Sequence, residues 1–186
     1  MVKLRAGTVT DLKKYYTMME IDFDKRELFN SILLQKGMLT GNVQMFVIYD
    51  DQAKADVGYA VTFPQNVYGY VLLKYFGVFP WYRQKGMGKQ ALQELVAQYE
   101  DKYGLIAEIP VFEDNGEGQI TYLLHFLEEA GFGEVPADYR IGGAKVHLLT
   151  KAMKGTGQIS RVAHRILPDF YTRISPRYQT DICALK

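Results

Sequence analysis

The sequence predicts an α/β fold, with helices and strands mixed along one domain and followed by a C-terminal extension. Two kinds of segment indicate this fold. Apolar runs rich in Val, Ile, Tyr and Phe favour strands, and segments with apolar residues three and four positions apart favour amphipathic helices. The chain has 186 residues, enough for one sizeable core. Its 48% hydrophobic and 23% charged residues exclude disordered and fibrous classes.

The first part of the chain predicts one strand and two helices. Residues 2–6 read as a short strand, and a helix capped by Thr8 or Thr10 follows it. We expect a second helix to begin at Asp24, because Glu27 three residues later resembles a capping box. Gly37 is expected to end that helix.

The middle of the chain predicts mainly strands. Residues 43–49 and 56–63 read as two strands joined by a polar turn. Residues 67–79 form a longer, nearly all-apolar run, which is typical of a strand buried on both faces. After a glycine turn, an amphipathic helix is expected to continue to Gly104, and residues 105–112 predict another strand.

The last part of the chain predicts a helix, a strand and a basic tail. The acidic loop 113–118 precedes a helix that stops at Gly131, and residues 144–150 read as a final strand. Residues 151–186 carry seven Lys and Arg against two Asp and Glu, interleaved with apolar residues. Because those apolar residues need burial, we expect the tail to pack on the domain or on a second subunit.

The stretch VFPWYRQKGMGKQAL, residues 78–92, leads from an apolar strand through a basic glycine turn directly into a helix. The first N–H groups of a helix lack partners within it, so this order can hold a phosphate group. A Walker A loop is excluded, because Gln90 stands where that motif needs Ser or Thr. A dinucleotide fingerprint, with Ala91 and Glu108 in its last positions, is an alternative, but that motif usually follows the first strand of a domain.

Residues 78–88 have the order V-x-P-x-x-R-x-x-G-x-G, and they are followed by a helix, a strand and a helix that ends in Gly131 and Phe132. This combination resembles the GNAT superfamily of acyl-CoA-dependent N-acyltransferases. The resemblance covers roughly residues 2–151. It implies a mixed, mostly antiparallel sheet of six to seven strands flanked by about four helices.

The resemblance also implies two parts of the chain. Residues 1–152 would form the acyl-CoA-binding catalytic domain, and residues 153–186 would form the basic extension.

The resemblance implies that acetyl-CoA binds the glycine turn and the strand before it. Glycines at 86 and 88 have no Cβ atoms to hold a pyrophosphate away, and the positive end of the helix attracts it. Main-chain groups at the end of the strand would contact the pantetheine arm, and Gly77 favours a local bulge there. The expected coenzyme A contacts are Phe76, Gly77, Val78, Arg83, Gln84, Lys85, Gly86, Met87, Gly88 and Lys89.

The implied reaction is the attack of a primary amine on the acetyl thioester in a ternary complex. Glu108 lies in an otherwise apolar strand and is our candidate general base; an ion pair or a water-facing strand edge is the alternative for it. The tyrosine that the family often uses to protonate the thiolate is replaced by Leu127. Tyr122 on the same helix becomes the candidate acid, with His125 or a merely exposed surface as the alternatives.

The resemblance implies acetyl-CoA as a cosubstrate and a small-molecule, peptide or protein amine as the acceptor. With three His and the single Cys183, the sequence predicts no metal site. We expect a cytoplasmic protein without a membrane or nucleic-acid partner, which could form a homodimer. The alternatives are a non-catalytic acyl-CoA-binding regulatory domain and a nucleic-acid-binding module that uses the basic tail.

Overall fold

A computed structural model describes residues 1–65, 69–113, 116–136, 138–141, 144–154, 159–175 and 183–185. The strands are β1 (Val2–Ala6), β2 (Gln44–Asp50), β3 (Ala55–Gln65), β4 (Tyr70–Val78), β5 (Gly104–Val111), β6 (Gly133–Glu134), β7 (Asp138–Ile141), β8 (Ala144–Ala152) and β9 (Cys183–Leu185). The helices are α1 (Val9–Asp22), α2 (Ser31–Leu39), a 3₁₀ turn (Pro80–Tyr82), α3 (Met87–Gln98), α4 (Glu117–Glu129) and α5 (Ile159–Ile174).

All of these strands belong to one mixed sheet. Its order is β1-β2-β3-β4-β5-β8-β7-β9, and β6 also pairs with β8. The β4–β5 pair is parallel and the other pairs are antiparallel. The predicted fold class is therefore confirmed. The described residues form nine strands and five α-helices, more than expected, because β6, β7 and β9 are too short to show an alternating pattern in the sequence.

The sheet opens between β4 and β5. The two strands pair only from Tyr70 with Gly104 to Leu73 with Ala107, although both continue for several more residues. A β-bulge lies at this point, since Val61 faces Tyr75 while Thr62 faces Leu73, which leaves Lys74 as the extra residue. The bulge is thus at Lys74 and not at Gly77, where we expected it. We call the opening between residues 74–78 and 108–111 the fork.

Helices cover both faces of the sheet. Helices α1, α2 and α5 pack on one face around buried residues such as Tyr15, Tyr75 and Phe170. Helices α3 and α4 pack on the other face around Leu95 and Leu127. Strand β4 contributes buried side chains to both cores, as its apolar sequence predicted.

The described part of the C-terminal extension packs against the first face. Helix α5 contacts α2, β3 and β8. Its buried apolar residues are Ile166, Leu167, Phe170, Tyr171 and Ile174. The domain boundary at residue 152 and a second subunit stay predictions.

The second helix begins later than the sequence predicted. Asp24 and Glu27 form a single hydrogen-bonded turn, and the helix begins at Ser31 with Asn30 as its N-cap. The chain stays extended between them, where the Phe29 N–H donates to the Tyr75 hydroxyl. Gly37 does not end the helix; it lies within α2, where a Cβ atom would overlap the side chain of Val43.

Other boundaries differ by smaller amounts. Thr8, not Thr10, caps α1, and Asp11 completes its capping box. Helix α3 ends at Gln98, and Gly104 begins β5 instead of ending the helix. The predicted start of β4 at Val67 and the middle of the acidic loop, residues 114–115, lie outside the described residues. No helix in the described part of the chain is long and apolar enough to cross a membrane.

Candidate functional site

The N-terminus of α3 lies at the open end of the fork and has no side-chain cap. Its N-cap is Gly86, with φ of 72°, and its first turn holds no acidic residue. Helices α1 and α2, in contrast, are capped by the side chains of Thr8 and Asn30. The first N–H groups of α3, from residues 87–89, have no acceptor within the helix, so they are available to an anion.

The turn before α3 leaves room for a large ligand. Gln84 and Gly86 both adopt positive φ angles, 61° and 72°, and no other atom lies within 4 Å of the position of a Cβ on Gly86. A Cβ on Gly88 would lie 3.5 Å from the Phe126 ring and 3.6 Å from the Val78 side chain. The two glycines therefore give open access to the N–H groups beside the end of β4.

The basic side chains of the turn bind to the protein itself. The Arg83 Nε–H donates to the Val78 carbonyl at 2.7 Å, and its terminal nitrogen pairs with Asp22 Oδ1 at 2.5 Å. Lys85 donates to the Trp81 carbonyl at 3.1 Å. The exposed Lys89 pairs with Glu129 of α4 at 3.3 Å. Arg83 thus connects the turn to the end of α1.

Asp22 also connects the Arg83–Asp22 ion pair to the centre of the sheet. Its second oxygen accepts a hydrogen bond from the Tyr59 hydroxyl at 2.7 Å. Burial, reinforced by the Asp22 charge, raises the pKa of Tyr59 far above its ordinary value. A Cβ on Gly77 would lie 2.7 Å from Tyr59 and 2.9 Å from Asp22. The Tyr59 and Asp22 side chains therefore leave no room for a Cβ atom at position 77, which explains the glycine there.

Two residues of β4 direct their main-chain groups into the fork. The Phe79 N–H donates to the Val57 carbonyl of β3 at 2.9 Å. Along an antiparallel strand, the main-chain N–H and C=O groups of successive residues point alternately to one neighbour and to the other. The N–H groups of Val78 and Phe76 therefore point away from β3. Gly77 turns its carbonyl toward Gly58 of β3. Of the three predicted pantetheine contacts, Phe76 and Val78 therefore have main-chain groups facing the fork.

Glu108 lies where β4 and β5 separate, on the face covered by α5. Its Oε2 accepts from Lys74 Nζ at 3.1 Å, and the two side chains are only 2% and 4% exposed. Lys74 also donates to the Tyr171 hydroxyl at 3.0 Å, and that hydroxyl donates to Glu108 Oε2. Burial and the Glu108 charge raise the pKa of Tyr171 well above its ordinary value. Glu108 Oε1 is buried without a hydrogen-bond partner among the described residues.

A small concavity borders this group. It has room for about one water molecule. We call it the Glu108 pocket, and its lining includes Arg26, Glu27, Phe29, Lys74, Glu108, Pro110, Phe112, Ile141, Ala144, Val146 and Tyr171. The segment between α1 and α2, the two fork strands, the β7–β8 hairpin and α5 all contribute to it.

Tyr122 lies on the other face of the sheet. It is 68% exposed and stacks on Phe126, whose ring lies 5.8 Å from that of Phe76. Leu127, at the position of the missing tyrosine, is buried in the core. The structure therefore does not bring Tyr122 and Glu108 together, since the sheet separates them.

Sequence reasoning missed three residues of this site. Lys74 is the only charged residue in the apolar run of β4, and this signal could have marked it. Asp22 and Tyr171 carried no such signal, because their partners Arg83 and Glu108 lie about 60 positions away in the chain.

The chain was also compared with known proteins. The model of the acetyltransferase (GNAT) family matches residues 9–132. A Bacteroides thetaiotaomicron protein described as an acetyltransferase from the GNAT family superposes with a TM-score of 0.70 at 18% identity, covering 96% of this chain and 99% of that one. Spermidine N-acetyltransferase from Vibrio cholerae, in complex with CoA and spermine, gives a TM-score of 0.62 at 15% identity, covering 82% and 95%.

No curated protein matches the sequence. At these identities the two solved structures show a shared fold. The family model, however, spans about two thirds of the chain and includes the glycine turn, the fork strands and α4. The chain therefore belongs to the GNAT acetyltransferase family.

Proposed function

We propose that the protein transfers the acetyl group of acetyl-CoA to a primary amine by direct attack in a ternary complex. Membership of the GNAT family supports acetyl-CoA as the acetyl donor. The observation that carries the proposal is the fork, which opens beside an uncapped helix N-terminus and exposes strand main-chain groups. An extended acyl-CoA molecule needs both features, one for its pyrophosphate and one for its pantetheine arm.

In the proposed complex the pyrophosphate accepts hydrogen bonds from the N–H groups of residues 87–89. Gln84, Lys85 and Gly86 border it from the turn, and Arg83 holds the turn in place through Asp22. The pantetheine arm lies along the fork edge of β4, next to Phe76 and Val78. This arrangement places the thioester near the bulge at Lys74, where the fork closes.

The reaction then needs one bond made and one broken. The amine nitrogen attacks the acetyl carbonyl carbon to form the C–N bond, and the C–S bond breaks to release the coenzyme A thiolate. The carbonyl oxygen becomes negative in between and accepts from the N–H of Phe76 or Val78. The nitrogen loses one proton, for which Glu108 Oε1 is the proposed acceptor, and the thiolate gains one.

The acid that protonates the thiolate stays a prediction. Tyr122 remains our candidate, and its ring stacks on Phe126 beside Gly88 and Phe76. Its large exposure also allows water to supply this proton.

The Glu108 pocket is our proposed acceptor pocket, and its small size favours a compact amine. Vibrio cholerae spermidine N-acetyltransferase binds spermine, and its fold resemblance supports an amine as the acceptor class. The acceptor pocket of this chain holds charges of both signs and has room for about one group of the size of a water molecule. We therefore propose a primary amine that inserts only its terminal amino group.

Calorimetric titration of acetyl-CoA tests the binding site. Gly88→Glu places a carboxylate at the second residue of α3, where it should repel the pyrophosphate and abolish the micromolar binding expected of the wild type. Gly118→Glu is the control, because Gly118 is the second residue of α4. A Cβ on Gly118 meets no other atom within 4 Å, and a Cβ on Gly88 meets Phe126 and Val78 only at ordinary contact distances of 3.5 and 3.6 Å. Equal binding by wild type and Gly88→Glu would contradict the proposed pyrophosphate site.

A non-catalytic acyl-CoA-binding domain is the second candidate function. The observation in its favour is that Leu127 fills the position of the usual acid and Tyr122 is largely exposed. Release of free thiol from acetyl-CoA with a panel of primary amines distinguishes the two functions. Tight binding without thiol release would support the non-catalytic domain.

A further inference from the structure

The acceptor pocket contains a buried ammonium group where a reacting amine would bind. Lys74 Nζ lies 3.1 Å from Glu108 Oε2, while Oε1 of the same carboxylate has no partner among the described residues. An N–H group that donates to Oε1 would therefore come within several ångströms of the Lys74 charge.

This arrangement affects the protonation of an acceptor amine. An alkyl amine has a pKa near 10.4, so only about one molecule in a few thousand is neutral and nucleophilic at pH 7. A nearby like charge disfavours the cationic form of a bound amine, whereas the carboxylate favours it. The outcome depends on whether the carboxylate is already neutralised by another group.

In this site the carboxylate is already paired. Lys74 and the Tyr171 hydroxyl both donate to Glu108 Oε2, and Lys74 also donates to the Tyr171 hydroxyl. A protonated amine would add a second cation to a pair that is neutral overall. A neutral amine can donate one N–H to Oε1 and keep its lone pair for the thioester.

The other charged groups of the acceptor pocket come from one segment. Arg26 and Glu27 face it from the stretch between α1 and α2. Arg26 is paired with Asp24, and burial raises the pKa of Glu27. Tyr75 of β4 lies beside Lys74. The described residues that β7 and β8 contribute to the lining are apolar: Ile141, Ala144 and Val146.

We propose that the ammonium group of Lys74 selects the neutral form of the acceptor amine at Glu108 Oε1, so that the amine binds ready to attack the thioester. This inference rests on the proposed function. Lys74 acts here as a fixed charge, and Tyr171 of α5 is a positioning residue that holds Lys74 and Glu108 together. The C-terminal extension thereby supplies part of the acceptor site.

The wild-type enzyme allows a first test, with propylamine and ethanolamine as acceptors and thiol release as the readout from pH 6 to pH 10. Both kcat and kcat/KM should fall at low pH, where the amine is protonated; we call this part of each profile its acid limb. The acid limb of kcat reports the ionisation of the amine in the ternary complex, and the acid limb of kcat/KM reports ionisation of the free reactants. Because Lys74 disfavours the bound cation, we expect the midpoint of the kcat limb to lie at least about one pH unit below that of the kcat/KM limb. Coincident limbs would overturn the proposal.

A pair of Lys74 variants assigns the effect to its charge. In Lys74→Gln the amide can still donate to Glu108 but the charge is absent, so a protonated amine should bind more tightly and react less. We expect KM for the amine to fall, kcat at pH 7 to fall about tenfold, and the acid limb of kcat to rise by about one pH unit. Lys74→Arg keeps the charge and should keep the low acid limb. An unmoved limb in Lys74→Gln would overturn the proposal.

The remaining outcomes separate this proposal from the function on which it rests. Wild-type protein that binds acetyl-CoA but releases no thiol with any amine contradicts the proposed function, and with it the role of Lys74. If Lys74→Gln does not fold, Tyr171→Phe tests the same site, with Tyr16→Phe as control because its hydroxyl donates to the Phe29 carbonyl instead. A loss of kcat about as large in Tyr16→Phe as in Tyr171→Phe would count against a positioning role.

Discussion

At the scale of single residues, Asp22 connects three elements around the proposed cosubstrate site. It is the last residue of α1, it pairs with Arg83 of the glycine turn, and it accepts from Tyr59 of β3. Its side chain is only 9% exposed, so solvent screens the Arg83 pair less than an ordinary surface ion pair. The glycine turn is therefore held by a residue that lies 61 positions earlier in the chain.

Removal of the Asp22 charge should weaken acetyl-CoA binding without abolishing it. In Asp22→Asn the Arg83 guanidinium loses its ionic partner, and we expect a roughly threefold to tenfold higher Kd, which corresponds to about 0.7–1.4 kcal/mol. Calorimetric titration measures this change. Asp51→Asn, which disrupts the more exposed Lys3–Asp51 pair, is the control and should leave the Kd unchanged. Equal affinity of Asp22→Asn and wild type would show that the Arg83–Asp22 ion pair has no effect on binding.

Glu27 gives a prediction about stability and pH. Burial raises its pKa, and the charge of Lys74 opposes that effect only in part. An acid whose pKa is higher in the folded state than in the unfolded state favours folding when it is protonated, so its contribution is lost as pH rises through the folded pKa. Glu27→Gln should therefore raise the melting temperature at pH 8 and not at pH 4. Glu20→Gln, on an exposed part of α1, should change neither value; a pH-independent effect of Glu27→Gln would contradict the prediction.

At the scale of elements, the helix N-termini show what local sequence can predict. The cap at Thr8 uses neighbouring residues, and the sequence predicted a helix start at Thr8 or Thr10, although it did not identify the capping box with Asp11. Asp24 and Glu27 have the same spacing, yet they form only one turn, because the Phe29 N–H is bound to Tyr75, a residue 46 positions later. Local patterns thus identified the α2 segment, whereas a distant contact determined where the helix begins.

The two threonines at the start of α1 provide a direct test of the observed cap. Thr8→Ala removes the oxygen that accepts from the Asp11 N–H, and the free energy of unfolding should fall by about 1 kcal/mol. Thr10→Ala, within the same helix and equally exposed, should change it by less than about 0.5 kcal/mol. Urea denaturation measures both values. A larger loss of unfolding free energy in Thr10→Ala than in Thr8→Ala would contradict Thr8 as the cap of α1.

At the scale of the whole molecule, the sequence predicted the fold class and the glycine turn but not the Glu108 pocket. The turn is continuous in sequence, so the residues from Val78 to Gly88 identify it alone. The Glu108 pocket combines β4, β5 and α5, and the contact between Glu108 and Tyr171 spans 63 positions. A single sequence carries no record of such a contact. The separation of Tyr122 from Glu108 by the sheet was missed for the same reason.

Among the described residues, the two halves of the sheet pair through four residue pairs, from Tyr70–Gly104 to Leu73–Ala107. Helix α5 contacts β3 in one half and β8 in the other, so it spans this short ladder. We therefore expect α5 to help set the angle between the halves and, with it, the width of the fork. A change in the position of α5 would then affect both proposed substrate sites together.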